Sequence, residues 1–90
     1  MKITYDPMKR DKTLIERGLD FDDTPRIFSG SSVTLSDDRK DYGEKRFITF
    51  GLLLGRMVAV VWTLRGDARR IISLRFANER EISRYQHRLG

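Results

Sequence analysis

Ninety residues with 39% apolar and 34% charged side chains make one small globular domain with a modest core, and exclude a disordered chain. The longest apolar run, residues 57–62, falls far short of the roughly 20 residues that cross a bilayer, and the absence of cysteine excludes disulfide and thiolate chemistry. The net charge of +5 is unevenly placed, because residues 46–90 carry nine arginines against three acids while residues 1–45 nearly balance.

Residues 2–5, KITY, read as a short strand. Asp6 as N-cap and Pro7 at the first helical position then start a helix over Pro7–Arg17, which Gly18 stops in a left-handed conformation. Its few apolar positions, Met8, Leu14 and Ile15, predict a surface helix with one thin stripe buried. Residues 19–28, LDFDDTPRIF, form a second, short helical segment. Either Asp20 caps it with Asp23 at the capping-box position, or Thr24 caps it with Pro25 following. Leu19, Phe21, Ile27 and Phe28 help bury a sheet face in both cases.

From Ser29 the apolar period changes to two. SVTLS (Ser32–Ser36) is a brief strand, followed by a highly charged connection. Residues 44–54 form a long strand, Gly55-Arg56 the turn, and residues 57–64 a strand apolar on both faces, which belongs in the middle of a sheet. RGDARR (65–70) turns at Gly66-Asp67, and residues 71–76 are the last strand. Asn78 caps a C-terminal helix with Glu81 at the reciprocal position. Ile82, Tyr85 and Leu89 share one face of it, with Ile82 and Leu89 read as exposed apolar positions, and Arg80, Arg84 and Arg88 share another. The order β-α-α-β-β-β-β-α predicts an α+β domain with one mainly antiparallel sheet, two N-terminal helices and a C-terminal helix.

His87 is the single histidine, so a histidine pair is excluded, and neither a zinc cluster nor a glycine-rich phosphate loop exists. Carboxylates, lysine, tyrosine and arginine remain. That set suits cleavage of an RNA phosphodiester, where guanidinium groups stabilise the transition state and a carboxylate moves a proton, with no metal or cofactor. RNA binding without cleavage uses the same residue types. Period-two geometry puts Glu44, Arg46, Ile48 and Phe50 on one strand face, and Ile71, Ser73 and Arg75 on one face of the last strand. Arg75 interrupts an apolar face and needs an anion, either a ligand or an internal carboxylate such as Glu44 or Asp41. Lys9 and Tyr85 complete the catalytic candidates; Arg39, Tyr42, Arg56 and Arg80 are the RNA-binding ones. Single-stranded RNA would stack on Tyr42 or Trp62.

The motifs YDPMK, RGLDF, DDRKDYGEKR, GLLLGR and VVWTLRGDARRIISLRFANEREISRY, in that order, resemble the BrnT family of bacterial type II toxins, within the RelE-like ribonuclease superfamily. The combination of YGE-x-R, GR and RIIS-x-R-x-A-x-x-x-E-x-x-x-Y is the distinctive part. The resemblance implies a RelE-like fold, a cytoplasmic endoribonuclease that represses translation, and a BrnA-like antitoxin through whose complex operator DNA is reached. It sets Lys9, Arg39, Glu44, Arg46, Arg75 and Tyr85 on polar positions of the family pattern. One departure stands out: the family's first helix commonly reads K-x-x-x-N-x-x-K-H-G, and here Thr13, Glu16 and Arg17 precede Gly18.

Overall fold

The Asp6 side chain accepts a hydrogen bond from the Met8 amide, and Pro7 follows it at the first helical position. The chain therefore turns directly from β1 (Ile3–Tyr5) into α1 (Pro7–Arg17), in a computed structural model that describes residues 1–89. Gly18, at φ 70°, ends α1 with its amide bonded to the Leu14 carbonyl. Asp20 caps a single 3-10 turn, Phe21–Asp23, and α2 (Thr24–Ser29) follows with Pro25 in its first turn. Thr24 is not the cap; its hydroxyl donates to the Phe21 carbonyl. β2 (Ser32–Ser36), β3 (Arg46–Leu53), β4 (Arg56–Arg65) and β5 (Ala68–Phe76) then succeed one another. The capping box of Asn78 and Glu81 starts α3 (Glu79–Tyr85), which closes in the 3-10 turn Gln86–Arg88.

The five strands form one mixed sheet in the order β1-β5-β4-β3-β2, with three helices around it. Only β1 and β5 run parallel, since α1, α2 and three strands separate them in sequence. The other neighbours are antiparallel and joined in sequence order. The β3–β4 turn is Leu54-Gly55, at φ 52° and 78°, so Arg56 belongs to β4 and not to the turn. Two consecutive left-handed residues match the twist of the flanking strands.

Central β4 buries both its faces, with Val58, Ala59 and Val60 fully enclosed. One face meets α2 and the Phe21 turn through Leu19, Phe21, Ile27, Leu53, Val58, Val60, Trp62, Ile71 and Leu74. The other gathers Val33, Ile48, Phe50, Met57, Ala59, Val61 and Leu89, with Ile82 and Tyr85 of α3 packed on it. α2 lies so close to β3 that a Cβ on Gly51 would sit 2.6 Å from a methyl of buried Ile27.

Four expectations change. The apolar positions of α1 are not buried: Met8 and Ile15 are 80% and 83% exposed, and no residue of α1 is buried. Polar contacts hold the helix instead, chiefly Arg10 to Asp20 and the Arg17 guanidinium to the Leu74 carbonyl. Strict alternation fails on β5. A bulge opposite Val61 and Trp62 leaves Ile72 unpaired, so Ile71 joins Leu74 on the helical face and parts from Ser73 and Arg75. Leu89 is buried rather than exposed. Trp62 is also buried, donating to the Thr49 hydroxyl, and cannot stack on a base.

Candidate nucleic-acid cleft

The charged connection between β2 and β3 is tied to itself. Asp37, 5% exposed, accepts two hydrogen bonds from Arg39 at 2.6 and 2.8 Å, and a longer one from the Tyr42 hydroxyl. That guanidinium pulls the Asp37 carboxyl below its ordinary range. The Asp41 side chain accepts from the Gly43 amide, and the Arg46 guanidinium lies 4.1 Å from the centre of the Tyr42 ring. These contacts fold the loop back onto the start of β3, where Glu44 stands just outside the strand.

Arg46 on β3 faces Thr63 on β4, which faces Arg70 on β5. Directly paired residues present their side chains on the same face. Here it is the face of Ile48 and Phe50, beyond the reach of α3. Glu44 accepts from Arg46 Nε at 3.1 Å with one oxygen and from Arg65 Nη2 at 3.1 Å with the other. Lys9, from the first turn of α1, and Asp6, its N-cap, close the hollow around them, which measures about 170 Å³. A second hollow of about 320 Å³ continues it between α1 and β5, past Lys12, Thr13, Glu16, Arg17, Ile72 and Ser73. Lys9 and Ile72 line both. The result is one groove along the exposed part of the sheet, with Lys9, Lys12, Arg17, Arg46, Arg65 and Arg70 against Asp6, Glu16 and Glu44.

Of the candidates, Lys9, Glu44 and Arg46 come together here. Arg75 does not join them. Its guanidinium grips Glu81 at 2.8 and 2.9 Å, and neither Glu44 nor Asp41 is its partner. The hydrogen bonds raise Arg75 and hold the Glu81 carboxyl below its ordinary range. Glu81 also accepts from the Asn78 amide, so Arg75 braces the start of α3. Tyr85 stacks on Phe50 with ring centres 4.6 Å apart. Arg39 is occupied by Asp37, while its charge acts on both Arg75 and Glu81. Arg56 lies over the Phe76 ring at 3.9 Å, beside a separate hollow with Leu52, Met57 and Ile82. Arg80 is exposed on α3 and forms no ion pair among the described residues.

Lys12, Arg17, Arg65 and Arg70 were missed. Residues 65–70 read as a turn, whereas β5 begins at Ala68 and so gives Arg70 a face. Arg17 stands where the family pattern carries histidine, a signal that was present in the sequence. Magnitudes separate the cations. The Glu44–Arg65 bridge involves a 59% exposed arginine side chain, and such pairs contribute about 0–1 kcal/mol. Arg65 is therefore held only weakly by Glu44. The two-pronged Arg75–Glu81 contact is more enclosed and holds its arginine more firmly.

Residues 5–81 match the family model described as the ribonuclease toxin BrnT of type II toxin-antitoxin systems. The chain belongs to the BrnT family. The matched span of this BrnT-family chain holds every groove residue, the loop 37–45 and the α3 capping box, and it stops short of Tyr85. No curated protein matches the chain. A ribonuclease toxin acts on RNA, and a type II system supplies a protein antitoxin.

Proposed function

We propose that this BrnT-family chain, on a RelE-like fold, is a metal-independent endoribonuclease that cuts single-stranded RNA in the groove between α1 and the sheet. Cutting represses translation in the cytoplasm until a BrnA-like antitoxin binds, and operator DNA is engaged only through that complex. The observation that carries the reading is the Glu44 carboxylate set between Arg46 and Arg65, with Lys9 and Arg70 lining the same hollow.

The chemistry follows from that arrangement. The RNA 2′-hydroxyl loses its proton to Glu44 as its oxygen attacks the adjacent phosphorus. Arg46, Arg65 and Arg70 stabilise the extra charge of the five-coordinate phosphorus. The bond to the 5′-oxygen breaks, and that oxygen takes a proton from Lys9. The products are a 2′,3′-cyclic phosphate and a 5′-hydroxyl. Arg75 and Tyr85 support α3 in this scheme and do not touch the phosphate. Arg39 and Tyr42 shape the loop that carries Glu44.

The test is incubation of purified protein with a single-stranded RNA oligonucleotide in the presence of chelator. We expect cyclic-phosphate ends, and a fall in rate of about 10²–10⁴-fold in Glu44→Gln. Cutting that persists in Glu44→Gln rejects the assigned base. A second reading, a non-catalytic RNA- or protein-binding module, is favoured by one observation: both Glu44 oxygens already accept from arginines. RNA bound without any product selects it.

A further inference from the structure

Among the described residues Arg69 has no counter-charge. It lies near the start of β5, opposite Leu64 of β4 and Ile3 of β1, and its side chain rises on the face away from the groove. The guanidinium carbon sits 4.0 Å from the centre of the Phe28 ring and 5.0 Å from that of Trp62. Among the described residues no carboxylate pairs with it, and its buried Nε–H has no acceptor. Burial alone pushes its pKa down. Ring stacking holds the guanidinium in place without neutralising it, and a buried donor without an acceptor is uncommon in folded proteins.

Beside it opens a hollow of about 350 Å³, lined by Met1, Ile3, Pro25, Phe28, Ser29 and Arg69. The Ser29 hydroxyl is already spent on the Arg26 carbonyl. The lining thus carries the Arg69 fork beside the apolar side chains of Ile3, Pro25 and Phe28, with no acid among the described residues. A single carboxylate carried beside an apolar side chain matches both the fork and the walls.

We propose that this hollow docks a protein partner through an Asp or Glu side chain flanked by an apolar residue, and that the antitoxin supplies it. The occupant rests on the toxin-antitoxin family; the RNA groove plays no part in it. The experiment is calorimetric titration of the purified chain with its antitoxin, comparing wild type, Arg69→Met and Arg69→Lys. Methionine keeps the apolar contact over Phe28 and deletes the fork; lysine keeps the charge. We expect affinity to fall about tenfold or more in Arg69→Met, with lysine restoring only part of it. The wild-type Arg69 Nε–H resonance should also move on adding antitoxin. Affinity within about twofold of wild type in Arg69→Met overturns the proposal, as does a wild-type chain that binds no antitoxin. Inorganic phosphate that displaces the antitoxin from Arg69 overturns it too, in favour of a phosphate site. Should Arg69→Met melt below wild type, the resonance decides: unmoved at saturating antitoxin, it overturns the assignment.

Discussion

Asp20, Asp37 and Glu81 are each held below the ordinary carboxylate range, mainly by hydrogen bonds from Arg10, Arg39 and Arg75. A carboxylate whose folded pKa is depressed binds fewer protons in the native state than in the unfolded one. Its contribution is complete above the unfolded value of about 4 and is lost as pH falls through the folded value. Urea midpoints should therefore be flat from pH 7 to about 5, then drop steeply below about pH 4. A midpoint that rises on acidification contradicts these pairings. The Arg75–Glu81 contact is testable separately, by a double-mutant cycle of Arg75→Met and Glu81→Gln. A coupling of about 1–2 kcal/mol is expected for a partly enclosed two-pronged pair; a coupling near zero would free Arg75 for another role.

Elements here are set by short signals at their ends. Asp6-Pro7, Gly18 and the Asn78/Glu81 box delimit α1 and α3 because capping needs only neighbours within a turn. Packing between elements is less local. α2 approaches β3 through Gly51, and Ile27 is both β-branched and fully buried, so its methyl has little room to retreat. Gly51→Ala should cost about 1–3 kcal/mol by overpacking, read from the urea midpoint. A neutral result would mean that α2 shifts freely on the sheet. α1 is the opposite case. Its exposed Met8 and Ile15 show that a helix can be fastened by ion pairs and one carbonyl contact at a sheet edge, a bonding mode its apolar pattern does not announce.

At the scale of the whole molecule, the sheet has two unequal faces. One is closed by α2 and its preceding turn. The other is covered by α3 at one end and open at the other, where Arg46, Thr63 and Arg70 form a row and α1 supplies a wall. Six groove cations against three acids predict salt-sensitive binding to single-stranded RNA. The slope of log K against log salt should flatten by about 0.7 for each phosphate-contacting cation removed, as in Lys12→Gln or Arg70→Gln. Filter-binding titrations between low and moderate salt measure it. Slopes unchanged in both variants would place the RNA elsewhere.

Much of the architecture was legible in the amino-acid order: the succession of elements, the caps, the central strand and the basic second half all depend on nearest neighbours or simple periods. Glu44, Arg46 and Lys9 were nameable as candidates for the same reason, and the family motifs reinforced them. Tertiary structure alone decided who meets whom. It paired Arg75 with Glu81, enclosed Trp62 and Leu89, and left Arg69 without an acid among the described residues. A bulge of one residue on β5 reversed the facing of Ile71 relative to Arg75, and no local period encodes that. Contacts between residues distant in the chain depend on register and on competition among many nearly equal ion pairs, so they are settled only when the sheet closes.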